Sequence, residues 1–110
     1  GEALTLRFFD TSPGISTDNR GNHVPTQTAN DMAIKFDGIG NEDLMVIVNL
    51  VSTANPALTT TKAIYISNAD IYKTGQVPSA YAADFQLDNN DGLVIIERND
   101  YNGAGENWVL

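Results

Sequence analysis

The apolar residues of this chain fall in short runs separated by Gly, Asn and Asp. No stretch of 11 or more residues has the i, i+3, i+4, i+7 apolar spacing of a helix. Runs rich in Val, Ile, Phe and Tyr between turn residues are typical of strands. The predicted fold class is therefore all-β, an antiparallel β-sandwich or small barrel of about six to eight strands. The length of 110 residues fits a single β domain over residues 1–110.

Seven segments predict strands, and the turns between them suggest their pairing. They are residues 3–9, 32–36, 44–51, 62–67, 85–87, 93–97 and 107–110. Asp-Gly and Gly-Asn steps at 37–41 predict a hairpin between the second and third segments. The continuous apolar run at 44–51 predicts a central strand covered on both faces. Two further hairpins are predicted in the last third of the chain, and one short helical turn at 78–84.

The N-terminal part of the chain suggests contacts with other subunits. Phe8 and Phe9 place one large aromatic ring on each face of the first predicted strand. At a sheet edge, one of these rings would be exposed or would meet another subunit. Residues 10–30 are polar and rich in Gly and Pro, which predicts a long loop or an arm. Such an arm can add a strand to a neighbouring sheet, although a core strand explains the same pattern.

The charge of the chain argues against two classes of partner. The formal net charge is −8, and the six Lys and Arg residues are scattered singly. Binding to nucleic acid or to an anionic membrane needs clustered basic groups, so neither partner is expected. The sequence has no cysteine, which excludes disulfides and thiolate chemistry.

The residues needed for catalysis are scarce. His23 is the one histidine, and it lies in a polar loop away from any dense group of carboxylates. No nucleophile elbow, zinc-protease pair or phosphate-binding glycine loop occurs. We therefore predict that the protein is not an enzyme. A small hydrolase using two carboxylates is a remote alternative, because Asp and Glu are plentiful.

The turn at residues 88–92 is rich in oxygen-bearing side chains. Asp88, Asn90 and Asp91 are candidate ligands for calcium, which prefers carboxylate and carbonyl oxygens on a flexible loop. The segment is not an EF-hand, because position 99 is Asn99 where the glutamate ligand would be needed. The alternative is an ordinary turn in which Asp and Asn bond to their own backbone.

A second candidate site combines aromatic and amide groups near the C-terminal end of the sequence. Tyr101, Asn102 and Trp108 lie around one polar connection. Exposed aromatic faces with nearby hydrogen-bonding groups are typical of sugar-binding sites. The alternative places Trp108 in the core or at a sheet edge.

Several segments together resemble a known group of proteins. The strand Leu-Met-Val-Ile-Val-Asn at 44–49, a Thr-rich turn and strand, the run at 93–96 and Tyr-Asn-Gly-Ala-Gly at 101–105 carry the likeness. Together they are similar to small β-rich head or decoration proteins of tailed phages. The resemblance covers about half the chain. It implies a virion surface protein that is commonly a symmetric oligomer and has no catalytic residues.

Two main functional hypotheses follow. The first is a non-enzymatic assembly protein at a virion or another extracellular surface, acting through protein partners or self-association. The second is a carbohydrate-binding module, with a structural calcium as an optional part. Sandwich folds carry both kinds of function, so the fold class does not choose between them.

Overall fold

The computed structural model describes residues 28–110, which form five strands, two short α-helices and one 3₁₀ helix. In chain order they are β1 Met32–Phe36, β2 Leu44–Ser52, β3 Thr59–Ile66, the 3₁₀ helix Asn68–Asp70, α1 Ser79–Ala82, β4 Gly92–Ile96, α2 Arg98–Tyr101 and β5 Trp108–Val109. Phe8, Phe9, His23, the predicted strand 3–9 and most of the predicted loop 10–30 lie outside the described residues.

The five strands of the described residues form two antiparallel sheets. β1 pairs with β4, and a three-stranded sheet has the order β3-β2-β5. The sequence-based prediction of an antiparallel fold dominated by strands is therefore confirmed. The predicted helical turn at 78–84 is also confirmed, because α1 lies within it.

The pairing of the strands differs from the prediction. β1 and β2 do not form a hairpin, since β1 pairs with β4. The reason lies in the loop between them, where Ile39 is buried and its N–H donates to the carbonyl of Asn90. The two hairpins predicted in the last third are also wrong, because β4 and β5 belong to different sheets. Residues 85–87 form no strand. Instead, the N–H of Phe85 donates to the carbonyl of Tyr81 in α1.

Within residues 28–110, β2 is a central strand that packing buries on one face only. Val48 and Leu50 are 5% and 1% exposed and pack in the core, whereas Met45 and Ile47 are 52% and 62% exposed. The predicted burial of both faces is therefore wrong. Alternate residues of a strand point to opposite faces, so Met45 and Ile47 belong to the face that the described residues leave open.

One core lies between the two sheets. It combines buried side chains of β2, β3 and β4 with Tyr101 of α2, and its members include Val48, Leu50, Ile64, Ile66, Val94, Ile96 and Tyr101. On one side the sheets are joined through the backbone, because Ala29 and Leu110 exchange hydrogen bonds of 3.1 and 2.9 Å. The chain therefore passes from the edge of β5 directly into β1.

Candidate functional site

The structure buries the first residue of the predicted sugar-binding patch. Tyr101 is 2% exposed, and its hydroxyl donates a hydrogen bond of 2.6 Å to the carbonyl of Asn30. Burial raises the pKa of the Tyr101 hydroxyl, with the charge of Asp31 acting in the same direction. The expectation that Tyr101 offers a ring face to a ligand is therefore wrong, because this ring packs in the core.

The amide of Asn102 is also committed to the fold. Its Nδ2 donates to the carbonyl of Trp108 at 2.7 Å, and its Oδ1 accepts from the N–H of Trp108 at 3.0 Å. These two bonds fix the start of β5 against the end of α2. Trp108 itself is half-buried and packs against the core. The three predicted residues are thus neighbours; Asn102 and Trp108 are half-buried, and Trp108 is the one aromatic ring of the three that keeps contact with solvent.

The loop of the predicted calcium site uses its buried carboxylate internally. Asp91 is 3% exposed, and its carboxylate accepts the N–H of Asp88 at 2.8 Å and lies 3.6 Å from the Lys35 ammonium. Asn90 adopts a left-handed backbone with φ of 69°, which Asn tolerates better than most residues. Within residues 28–110, no three His, Cys, Asp or Glu side chains lie close enough together to hold a metal ion. Calcium binding by Asp88, Asn90 and Asp91 stays a prediction.

The Asp91 carboxylate is expected to make the stability of the fold depend on pH. The hydrogen bond from the backbone of Asp88 is the main cause that lowers the pKa of Asp91 below its usual value of 3.8, and Lys35 contributes. A lowered folded-state pKa stabilises the protein above the unfolded-state pKa, and this contribution is lost as pH falls through the folded-state value. We expect Asp91→Asn to lower the urea midpoint at pH 7 and to have a much smaller effect at an acid pH below the folded-state pKa of Asp91.

Urea unfolding at both pH values checks this expectation. Asp84→Asn makes the same chemical change at an exposed position after α1 and serves as the control. If Asp91→Asn destabilises the protein equally at the two pH values, the charge of Asp91 is not the cause of the lost stability.

The open face of β2 and β3 carries a patch that sequence reasoning missed. Met45 lies opposite Tyr65 in the register, and Ile47 lies opposite Ala63. Tyr65 is 78% exposed, and all four side chains belong to the same exposed face. We call these four residues the apolar face. A signal was present in the apolar residues at positions 45 and 47, but a continuous apolar run does not show which face is open.

An open groove of about 720 Å³ lies between β3 and β4. Ile64, Tyr65 and Ile66 line it on one side, and Val94 and Ile95 line it on the other. Its lining also contains three acidic residues, Asp70, Glu97 and Asp100. The carboxylate of Asp100 accepts the N–H of Glu97 at 2.7 Å at the start of α2, so it is engaged locally. The groove thus combines sheet edges with negative charge.

Comparison with protein-family models, curated proteins and solved structures found no match. In the part of the chain that the structure describes, no helix is long and apolar enough to cross a membrane. The geometry of the apolar face and of the groove therefore carries the functional argument.

Proposed function

We propose that this protein is a non-enzymatic assembly module that joins protein subunits through the apolar face of β2 and β3. The observation that carries the proposal is the contiguous exposure of Met45, Ile47 and Tyr65. Single exposed apolar residues are normal on protein surfaces, but adjacent large ones mark sites of association. The virion or another extracellular surface is the setting that we propose, in line with the resemblance to phage head and decoration proteins.

The chemistry of the apolar face suits contact with protein. Met45 and Tyr65 face each other across the two strands, and Tyr and Met are enriched at the centres of protein interfaces. Thr61 and Asn49 continue the same face as a polar pair. An apolar centre with polar groups beside it is the usual layout of an interface.

The carbohydrate-binding alternative loses most of its support. Two of its three residues, Tyr101 and Asn102, are occupied within the fold. Trp108 alone offers a partly exposed ring, and a single half-buried ring provides little area for stacking.

We further propose that the two sheets are parts of one open barrel. The backbone pair of Ala29 with Leu110 supports this arrangement, because it connects the edge of β5 to the segment that enters β1. The shared core of the two sheets supports it as well. In this arrangement the groove between β3 and β4 is the gap that keeps the barrel open.

Ile47→Lys is expected to weaken assembly at least tenfold, because the new charge would have to be desolvated in the interface. Light scattering behind size exclusion measures the mass of the full chain over a range of concentrations. Ala57→Lys introduces the same charge in the exposed turn between β2 and β3 and is expected to leave the mass unchanged. Measuring the mass of both variants in Ca²⁺ and in a chelator also tests whether assembly depends on calcium.

Two results would contradict the proposed function. One is a wild-type chain that stays monomeric at every concentration, with and without Ca²⁺. The other is an oligomer that Ile47→Lys and Ala57→Lys leave equally intact. Circular dichroism of each variant confirms that its secondary structure is retained.

A further inference from the structure

The sequence contains one Asn-Gly step, Asn102-Gly103, in the connection between α2 and β5. In such a step the backbone nitrogen readily attacks the side-chain amide, because glycine has no Cβ to hinder the approach. The nitrogen of Gly103 forms a bond to Cγ of Asn102, the Cγ–Nδ2 bond breaks, and Nδ2 takes up the amide proton and leaves as ammonia. Water then opens the five-membered imide to aspartate or isoaspartate.

The fold holds the side chain of Asn102 in an arrangement that disfavours this reaction. Its Nδ2 donates to the carbonyl of Trp108 at 2.7 Å, and its Oδ1 accepts from the N–H of Trp108 at 3.0 Å. The backbone of Asn102 is extended, with ψ of 126°. Ring closure instead needs Cβ of Asn102 and the nitrogen of Gly103 on the same side of the Cα–C bond. The backbone at Asn102 must therefore rotate, which the two bonds to Trp108 oppose.

The attacking nitrogen is held by a separate contact. The N–H of Gly103 donates to Oε2 of Glu106 at 2.6 Å, and the same oxygen accepts from Nζ of Lys62 at 2.7 Å. The hydrogen bond from Lys62 is the main cause that lowers the pKa of Glu106, so its carboxyl is charged at neutral pH. A peptide nitrogen loses its proton as it attacks. That loss is harder beside a carboxylate, because it would place two negative charges together.

We propose that Asn102 is a site of spontaneous deamidation that the fold keeps closed and that reacts when β5 separates from β2. β5 has only two residues and pairs with β2 at Val51 and Ser52. Short segments open locally at a lower free energy than the whole domain unfolds. Separation of β5 moves Trp108 away from Asn102, which frees the amide and allows the backbone to rotate.

Deamidation also prevents β5 from returning to its place. An aspartate at position 102 has no N–H, so the carbonyl of Trp108 loses its donor and faces a negative charge. Isoaspartate in addition inserts Cβ into the backbone, which shifts the chain out of register with Trp108. The nearby carboxylate of Glu106 adds repulsion between like charges. A reversible opening of β5 thereby becomes permanent.

Peptide mapping by mass spectrometry measures the converted fraction of Asn102 while the full chain is incubated at mildly alkaline pH. We expect conversion at least about tenfold faster in urea than in native buffer, because only opened molecules react in native buffer. Gly103→Ala is expected to remove most of the conversion in urea, since its Cβ hinders the attack. The folded protein has room for this Cβ, whose closest approach is 3.4 Å.

Glu106→Ala tests the hold on the attacking nitrogen in the folded protein. We expect it to raise the rate in native buffer at least about fivefold, because the N–H of Gly103 loses a charged acceptor. The rate in urea is expected to stay unchanged. Glu42→Ala removes a carboxylate from an exposed position between β1 and β2 and is expected to change neither rate. Circular dichroism and urea midpoints define conditions in which both variants are folded.

Asn102→Asp creates one product of the reaction directly. Trp108 is the one tryptophan of the chain and is half-buried, so its fluorescence reports the position of β5. We expect Asn102→Asp to shift the emission to longer wavelength and to increase quenching by acrylamide. Asn99→Asp makes the same change at an exposed position of α2 and is expected to leave both unchanged.

Four outcomes would overturn this inference. Equal conversion in native buffer and in urea rejects protection by the fold, and no conversion of Asn102 in either rejects the site. A rate for Glu106→Ala no higher than that for Glu42→Ala rejects the hold on the nitrogen. Emission of Asn102→Asp equal to that of the wild type rejects the release of β5. None of these readouts depends on the oligomeric mass, so they are independent of the assembly function.

Discussion

Gly92→Ala is expected to destabilise the protein by about 1–3 kcal/mol, the usual cost of overpacking a core. A Cβ atom at Gly92 would lie 2.5 Å from Cγ2 of Ile39 and 2.8 Å from Cγ2 of Ile71. Ile39 and Ile71 are 8% and 2% exposed, so neither side chain can move into solvent without losing core contacts. Urea unfolding of the wild type and the variant measures the change.

Two further variants make the Gly92 prediction specific. Gly103→Ala has its closest approach at 3.4 Å, to a carboxylate oxygen of Glu106, and is expected to change stability by less than about 0.5 kcal/mol. In the double variant Gly92→Ala/Ile39→Ala, the added methyl group finds space. We therefore expect the double variant to be more stable than the sum of the two single effects implies. Strict additivity would argue against the contact.

Tyr101→Ala is expected to cost about 3–5 kcal/mol, the range for removing a large buried aromatic side chain. Tyr101 is among the largest fully buried side chains of the described residues and belongs to the core cluster that contains residues of both sheets. A role as a sugar platform predicts the opposite pattern, in which ligand binding is lost and stability is kept. Thermal and urea unfolding of the full chain distinguishes the two.

Tyr101→Phe separates the contribution of the ring from that of the hydroxyl. It keeps the ring and removes the 2.6 Å hydrogen bond to the carbonyl of Asn30. The expected cost is about 1–2 kcal/mol, because a partly buried carbonyl loses its partner. Equal effects of Tyr101→Phe and Tyr101→Ala would contradict a dominant role for ring burial.

The sequence predicted the strands of residues 28–110 better than it predicted their partners. Alternation at 32–36 and the apolar runs at 44–51 and 93–97 depend on local periodicity, and β1, β2 and β4 lie there. Pairing depends on contacts between distant residues. The turn after β1 has the composition of a hairpin loop. However, Ile39 in this turn is buried and its N–H bonds to the carbonyl of Asn90, so the turn packs against the loop before β4.

The candidate sites were harder to predict because residue type does not determine burial. Tyr101 and Asp91 are residue types that often bind ligands, but both are buried and bonded within the fold. α2 has four residues, which is too short to show helical periodicity, so nothing in the sequence indicated that Tyr101 would turn inward. The groove depends on how the strands of residues 28–110 are ordered into two sheets, and that order is a property of topology.

The two sheets differ in how far apart in sequence their strands lie. Six residues connect β2 to β3, whereas 55 residues separate β1 from β4. Loop closure costs more entropy for the longer connection, and long-range strand pairing slows folding. The β2–β3 ribbon is therefore able to form before its partner sheet exists, with both of its surfaces facing water. A chain in that state would expose the core side chains of the ribbon together with Met45 and Ile47, so we expect it to aggregate more readily than the folded protein.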